Sequence, residues 1–277
     1  MASENQKDWM ASGSDLMRRA MQNRRLIPDV PHLKPIIDAL PAGAVVCEVG
    51  CGPGGITLDI AQQYPELTVL GMDIDDESIK LARDAAEKAG TKNVRYAQGD
   101  ACNLDKLVEV EGFEALDGGC DLVYSHAAIM HTNNQLAAIS HMRHASKAHG
   151  TISLHEGDMG LFFAYPENPG VKRWLETFPV LGLSKGADPY LGRKLVSLVL
   201  AAGYAHGQIK GVSMAAQMQW RPQVKPGLVM GFGQIIKTSE LEEEDKKLIV
   251  EGLEEWSKCE DSIVSFPGVI VTAVKEA

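Results

Sequence analysis

The segment Val45-Val46-Cys47-Glu48-Val49-Gly50-Cys51-Gly52-Pro53-Gly54-Gly55-Ile56-Thr57 constrains this chain more than any other. An apolar strand runs into a glycine-rich turn that opens a helix. The glycines let the backbone approach a ligand closely, because a Cβ there would block it. The helix start then offers N–H groups that have no partner inside the helix.

From Ala44 onward, apolar runs alternate with helical patterns. Strands are expected over 44–49, 67–72, 93–98, 120–125 and 151–155. Helices are expected over 54–64, 76–89 and 134–147, with Gly90 stopping the second. This alternation predicts an α/β fold, a doubly wound sheet covered by helices on both faces. A helix over 192–202, a strand near 208–214, a helix begun by a Ser239/Glu242 capping box and a last strand over 269–274 complete seven strands.

Two segments fall outside the alternation. Residues 1–40 read as an N-terminal helical arm, with Met10, Leu16, Met17, Ala20 and Met21 as an apolar stripe. Residues 41–277 read as one domain, interrupted at about 157–190 by an aromatic, proline-rich stretch with no clean period. That stretch reads as a cap insertion over a pocket. Trp174, Phe178, Met159, Met214 and Met218 are its candidate apolar walls, with core packing as the competing reading.

The net charge of −10 and pI near 5.3 disfavour phosphate backbones, so nucleic acid is not an expected partner. The compact basic cluster Arg18, Arg19, Arg24 and Arg25 reads as a solvated helix face. Cys47, Cys51, Cys102, Cys120 and Cys259 show no zinc spacing, and their odd number suits a reducing compartment. With no signal-peptide or membrane-spanning pattern, a cytoplasmic protein without a membrane partner is expected. Monomer and homodimer both stay open.

Gly50, Gly52 and Gly55 also satisfy GxGxxG, so a nicotinamide- or flavin-dependent oxidoreductase has to be weighed. Glu48 opposes it, since a carboxylate two residues before the first glycine repels a pyrophosphate. The same carboxylate suits the ammonium of an amino-acid-bearing cofactor. Asp73, ending the second strand, is placed to accept from both ribose hydroxyls, and Asp100, after the third, from an adenine amino group. Three acids at successive strand ends stand where open α/β sheets bind ligands.

These segments resemble the class I S-adenosylmethionine (SAM)-dependent methyltransferases, a Rossmann-like family. Within it they are similar to the ubiquinone/menaquinone-biosynthesis group, over about residues 40–215. The resemblance implies a mostly parallel sheet with an antiparallel last strand, and SAM as cofactor. Its glycine motif maps on Glu48, Gly50, Gly52 and Gly54, with Cys51 between them. Asp73 and Ile74 map on the ribose and adenine contacts, Asp100 and Ala101 on the adenine, and Ser125 and His126 on the methionine portion. Asp188-Pro189-Tyr190-Leu191-Gly192-Arg193 resembles a stretch of fungal natural-product methyltransferases.

The implied reaction moves an activated methyl group, so the enzyme must mainly align a nucleophile and exclude water. A general base is useful for hydroxyl acceptors only. Candidates are His126, His131, Glu156 and Asp158, with Tyr165 also near the expected pocket; capping, packing or solvated-loop roles compete at each. No metal site is expected, because His141 and His144 lack a third ligand. The activity expected is methyl transfer to a small, apolar or natural-product-like acceptor of secondary metabolism. SAM binding without transfer, as in a pericyclase or regulator, is the alternative.

Overall fold

The computed structural model describes residues 15–219 and 222–277. Met10 lies outside them, as do the side chains of Leu16 and Met17. Strands β1 (Val45–Val49), β2 (Thr68–Asp73), β3 (Val94–Gln98), β4 (Cys120–His126) and β5 (Ser146–Gly157) pair in parallel in the order 3-2-1-4-5. Every residue of β4 is buried, as expected of a strand covered on both faces. The last strand, β8 (Ile263–Val274), runs antiparallel beside β5.

Among the described residues the sheet has eight strands, not seven. The extra one is β6 (Phe163–Tyr165), three residues inside the segment read as irregular. β7 (Ile209–Gln219) pairs with β8 along 264–273, so β5 and β6 share the other edge of β8. Three residues are too few for a period-2 signal to register in the sequence.

Helices α4 (Gly55–Gln63) and α5 (Asp76–Ala89) cover one face, and α6 (Gln135–Ala145) and α8 (Leu195–Ala201) the other. Local chemistry explains the sharpest boundaries. Asp75 caps α5 by accepting from the Ser78 N–H at 3.2 Å, and Gly90 ends it in a left-handed conformation. Asn134 caps α6 in the same manner. The helix α10 (Glu243–Lys258) starts at Glu242 without a side-chain cap, so the Ser239/Glu242 box does not form; the Ser239 hydroxyl instead donates to Ile236 O.

The segment 157–190 holds a sixteen-residue helix, α7 (Pro169–Ser184), capped by Asn168. With α9 (Lys225–Lys237) and α10 it forms a layer beyond β6 and β8. Trp174 and Phe178 are buried there, their rings 4.9 and 5.2 Å from that of Phe232. Met159 is buried, whereas Met214 and Met218 are 65% and 45% exposed. α9 has no counterpart in the sequence expectations: Pro226, Gly227, Gly231 and Gly233 lower its intrinsic helicity, and packing supplies what propensity lacks.

Residues 15–40 lie against the α4/α5 face. After α1 (Asp15–Gln22) come short turns α2 (Leu26–Asp29) and α3 (Lys34–Asp38). Leu26, Val30, Leu33 and Ile37 are fully buried in one core with Ile56, Ile60 and Ile79. Polar ties reinforce the seat: Arg18 Nε donates to Asp75 at 3.1 Å, and the Leu26 N–H to Asp59 at 2.8 Å. The Arg18–Arg25 cluster is therefore not a uniformly solvated face, as its composition suggested.

Gly55 is the contact point. A Cβ there would lie 2.6, 2.7 and 2.9 Å from the carbonyl oxygens of Gln22, Met21 and Arg24. Backbone oxygens cannot rotate away, so Gly55→Ala is expected to cost about 1–3 kcal/mol and to lift the arm. Trypsin should then cut at Arg24 and Arg25 at least about tenfold faster than in the wild type. An unchanged cleavage rate would show that the arm is not seated on Gly55. Among the described residues, no helix is long and apolar enough to cross a membrane.

Candidate active-site cleft

A cleft of about 1080 Å³, counted out to its open mouth, lies beyond the carboxyl ends of β1, β2, β3 and β4. Its floor is the glycine turn. The N–H groups of Gly50 and Cys51 both donate to Met72 O, at 2.8 and 2.9 Å, which bends the chain sharply off β1. Gly50 has φ +80°, and a Cβ on it would sit 2.2 Å from that of Ala128. Only glycine lets the turn and the loop after β4 close on each other here.

Nine of the eleven residues singled out for the cofactor line this cleft: Glu48, Gly50, Cys51, Gly52, Asp73, Ile74, Asp100, Ala101 and His126. Gly54 does not. A Cβ on it would lie 2.7 Å from the Cβ of Ala82, so its task is to bring α4 close to α5. Ser125 faces away, its hydroxyl donating to Glu156 at 3.3 Å.

The acids differ in their surroundings. Glu48 is buried and accepts from the Thr57 hydroxyl. Burial pushes its pKa up to about 7, against the lowering pull of Thr57 and the Arg24 charge. Asp73 accepts from the Gly52 N–H at 2.7 Å and from the Asp75 N–H at 2.9 Å, so it fixes the turn that it faces. Burial raises its pKa and these two N–H groups oppose the rise. Asp100 caps the next turn through the Cys102 N–H at 2.8 Å and the Asn103 amide at 3.0 Å. Capping and lining are thus compatible roles, since a carboxylate has about four lone-pair sites.

The four catalytic candidates separate. His126 and His131 line the cleft, and burial lowers both pKa values, that of His131 to about 4. Glu156 and Asp158 do not line it. Glu156 is wholly buried and accepts from the N–H groups of Ala128, Ile129 and Met130, which pins the loop behind β4. Asp158 holds the Arg193 guanidinium through two 2.6 Å hydrogen bonds. Tyr165 is exposed on β6, away from the cleft wall.

The lining residues supplied by the arm escaped sequence reading. Met21 and Arg24 come from the arm and roof the glycine turn. Nothing in a run of arginines tells a side chain facing water from one turned under a fold. Among the described residues, no group of three or more His, Cys, Asp or Glu is arranged to hold a metal ion.

Residues 40–177 match a family described as Methyltransferase domain. An uncharacterized methyltransferase of Schizosaccharomyces pombe is 26% identical over 159 residues, covering 57% of this chain and 56% of its own. Trans-aconitate 2-methyltransferase of Deinococcus radiodurans is 35% identical over 104 residues, 38% of this chain and 30% of its own. The chain thus spans about half, or less, of the length of these curated relatives. Among solved structures, Haemonchus contortus phosphoethanolamine N-methyltransferase 2 is similar in fold, with a TM-score of 0.55 and 15% identity. It covers 89% of this chain and 52% of its own, and was solved with phosphomonomethylethanolamine and S-adenosylhomocysteine.

Proposed function

We propose, from the premise that across residues 40–177 this chain belongs to the class I SAM-dependent methyltransferases, that it transfers the methyl group of SAM to a small-molecule acceptor. One observation carries the reading. Glu48, Asp73 and Asp100, from three neighbouring strand ends, line a single cleft around a turn that a Cβ on Gly50 would fill. Three spaced carboxylates suit a ligand with an ammonium, a ribose diol and an adenine amino group. They are hostile to the phosphates of a dinucleotide.

When bound, SAM supplies a methyl group already activated on a sulfonium. The protein's part is to hold and to shield. Glu48 takes the ammonium and Asp73 the two ribose hydroxyls. Asp100 accepts from the adenine amino group, and Ile74 and Ala101 pack against the ring. The arm, through Met21 and Arg24, keeps water from the turn, and His126 orients the methionine end. The overall charge of −10 favours a low-mass acceptor over a nucleic acid.

Incubation with methyl-tritiated SAM and metabolite extracts should place label in a low-mass product. SAM binding with no labelled product from any extract would favour a binding protein without transfer.

The raised pKa of Glu48 gives binding a pH dependence. Only the carboxylate form pairs with an ammonium, and in the free protein that form is lost as pH falls through about 7. Affinity for SAM is therefore expected to drop up to about tenfold per pH unit below 7, one proton being released on binding. Calorimetry from about pH 7 to about pH 5.5 reads this directly. Glu48→Gln should bind weakly and show a flat profile over that range. An equally steep slope in Glu48→Gln would assign the proton to another group.

A further inference from the structure

The positive charge on one wall of the cleft has no task in that reading. Arg24 carries it from the arm, half-buried, and among the described residues its guanidinium makes no hydrogen bond. Burial lowers its pKa, while the charges of Asp29 and Glu48 support its protonated form. The charge of this cation reaches His126 at the end of β4 and His155 near the end of β5, and His32, before α3, packs against His155. The His126 and His155 ring centroids are 4.8 Å apart, and those of His155 and His32 are 5.3 Å apart. His126 and His155 are only 8% and 6% exposed. Among the described residues, the Nδ1 atoms of all three meet no hydrogen-bond partner.

Orphaned polar atoms at this depth are costly unless a ligand completes them. Burial lowers the pKa of all three rings, those of His32 and His155 to about 4, and neighbouring charges add to it for His126 and His155. At neutral pH they are uncharged N–H donors and feeble bases. A permanent cation beside a row of such donors matches an anion that carries oxygen acceptors. The nearby acid, Glu48, is already engaged by Thr57.

We infer that Arg24 and His126, with His155 and His32 stacked behind them, form a carboxylate-binding subsite in the cleft, and that the methyl acceptor is a carboxylic acid. The inference rests on the cleft being the SAM site. The chemistry closes without a base. One carboxylate oxygen forms the new bond to the methyl carbon as the sulfur–methyl bond breaks, and its electron pair stays on sulfur. The products are a methyl ester and neutral S-adenosylhomocysteine, and no proton moves. Poorly basic histidines are no handicap to such a reaction.

The same chemistry is carried by the carboxylate of SAM itself, so the test must separate the two. Protein saturated with S-adenosylhomocysteine is titrated calorimetrically with malonate, benzoate and octanoate, each paired with its amide. At least one acid should bind, and its amide should bind at least about tenfold more weakly. Arg24→Gln should weaken the acid at least about tenfold and S-adenosylhomocysteine less than about threefold, with partial recovery in Arg24→Lys. His155→Gln, which does not line the cleft, should also weaken the acid and spare the nucleoside.

With methyl-labelled SAM, the label in the product should become volatile methanol under mild alkali. Three results overturn the inference: no acid binds although S-adenosylhomocysteine does, Arg24→Gln weakens the nucleoside alone, or the transferred label is alkali-stable. If S-adenosylhomocysteine itself does not bind, the reading of the cleft fails first and this inference falls with it.

Discussion

Replacing Glu156 with alanine is expected to lower the melting temperature by roughly 8–16 °C and to abolish measurable SAM binding at micromolar concentrations. The side chain is wholly buried and never reaches the cleft. Its two oxygens accept from the N–H groups of Ala128 at 3.2 Å, Ile129 at 2.9 Å and Met130 at 3.2 Å, and from the Ser125 hydroxyl. Alanine leaves these donors unsatisfied in the interior, at about 1–3 kcal/mol each before water partly fills the gap. A total near 4 kcal/mol follows, at about 2–4 °C per kcal/mol for a chain somewhat longer than 150–250 residues.

The loop so released carries Ala127, at φ +53°, together with the cleft-lining Ala128 and Ile129. Without its anchor that left-handed conformation is held only by the Ala127 N–H donating to His155 O at 2.8 Å. Glu156→Gln keeps an acceptor for some of the N–H groups and should fall between the two. Differential scanning calorimetry and SAM titration check both effects. Wild-type stability in Glu156→Ala would show that the loop holds its shape unaided.

Asp73→Ala is expected to weaken SAM by about 3 kcal/mol, a little over 100-fold, while the fold persists. Two losses combine. The carboxylate's free lone pairs no longer take the ribose diol, and its hold on the Gly52 N–H disappears, so the glycine turn is no longer preset. Asp73→Asn keeps an acceptor for one of the two N–H groups that Asp73 ties. It should recover part of the affinity. Binding within about threefold of wild type in Asp73→Ala would remove this residue from the site.

How much of this was legible beforehand depends on how far each signal reaches along the chain. Asp75 and Gly90 bracket α5 through contacts a few residues away, and a local pattern suffices to find them. The glycine turn is similar, because strand, bend and helix are contiguous. Asp73 and Asp100 were legible one step further out, since a parallel sheet brings its strand ends to one rim whatever the loops do.

Glu156 shows where that reasoning stops. Directly following the strand expected over 151–155, it read as a catalytic candidate, yet it lies within β5 and its carboxylate is consumed by N–H groups that only the folded loop behind β4 presents. Arg24 shows the reverse error. Its charge read as solvated, and the docking of Leu26 and Leu33 turned it under the roof of the cleft. His32, His126 and His155 are separated by 94 and 29 positions in the chain and meet only through tertiary packing. In 157–190, Pro169 at the start of α7 and Pro179 within it masked a helix that its burial against α9 and α10 maintains.

The decisive measurement is a calorimetric titration of the purified chain at about pH 7.5 with SAM, S-adenosylhomocysteine and NADH in turn. Saturable heat from both adenosyl compounds, lost together in Asp73→Ala and absent with NADH, is the result predicted here. No heat from either of them, with tight binding of NADH, would contradict the assignment of Glu48, Asp73 and Asp100 to a sulfonium nucleoside.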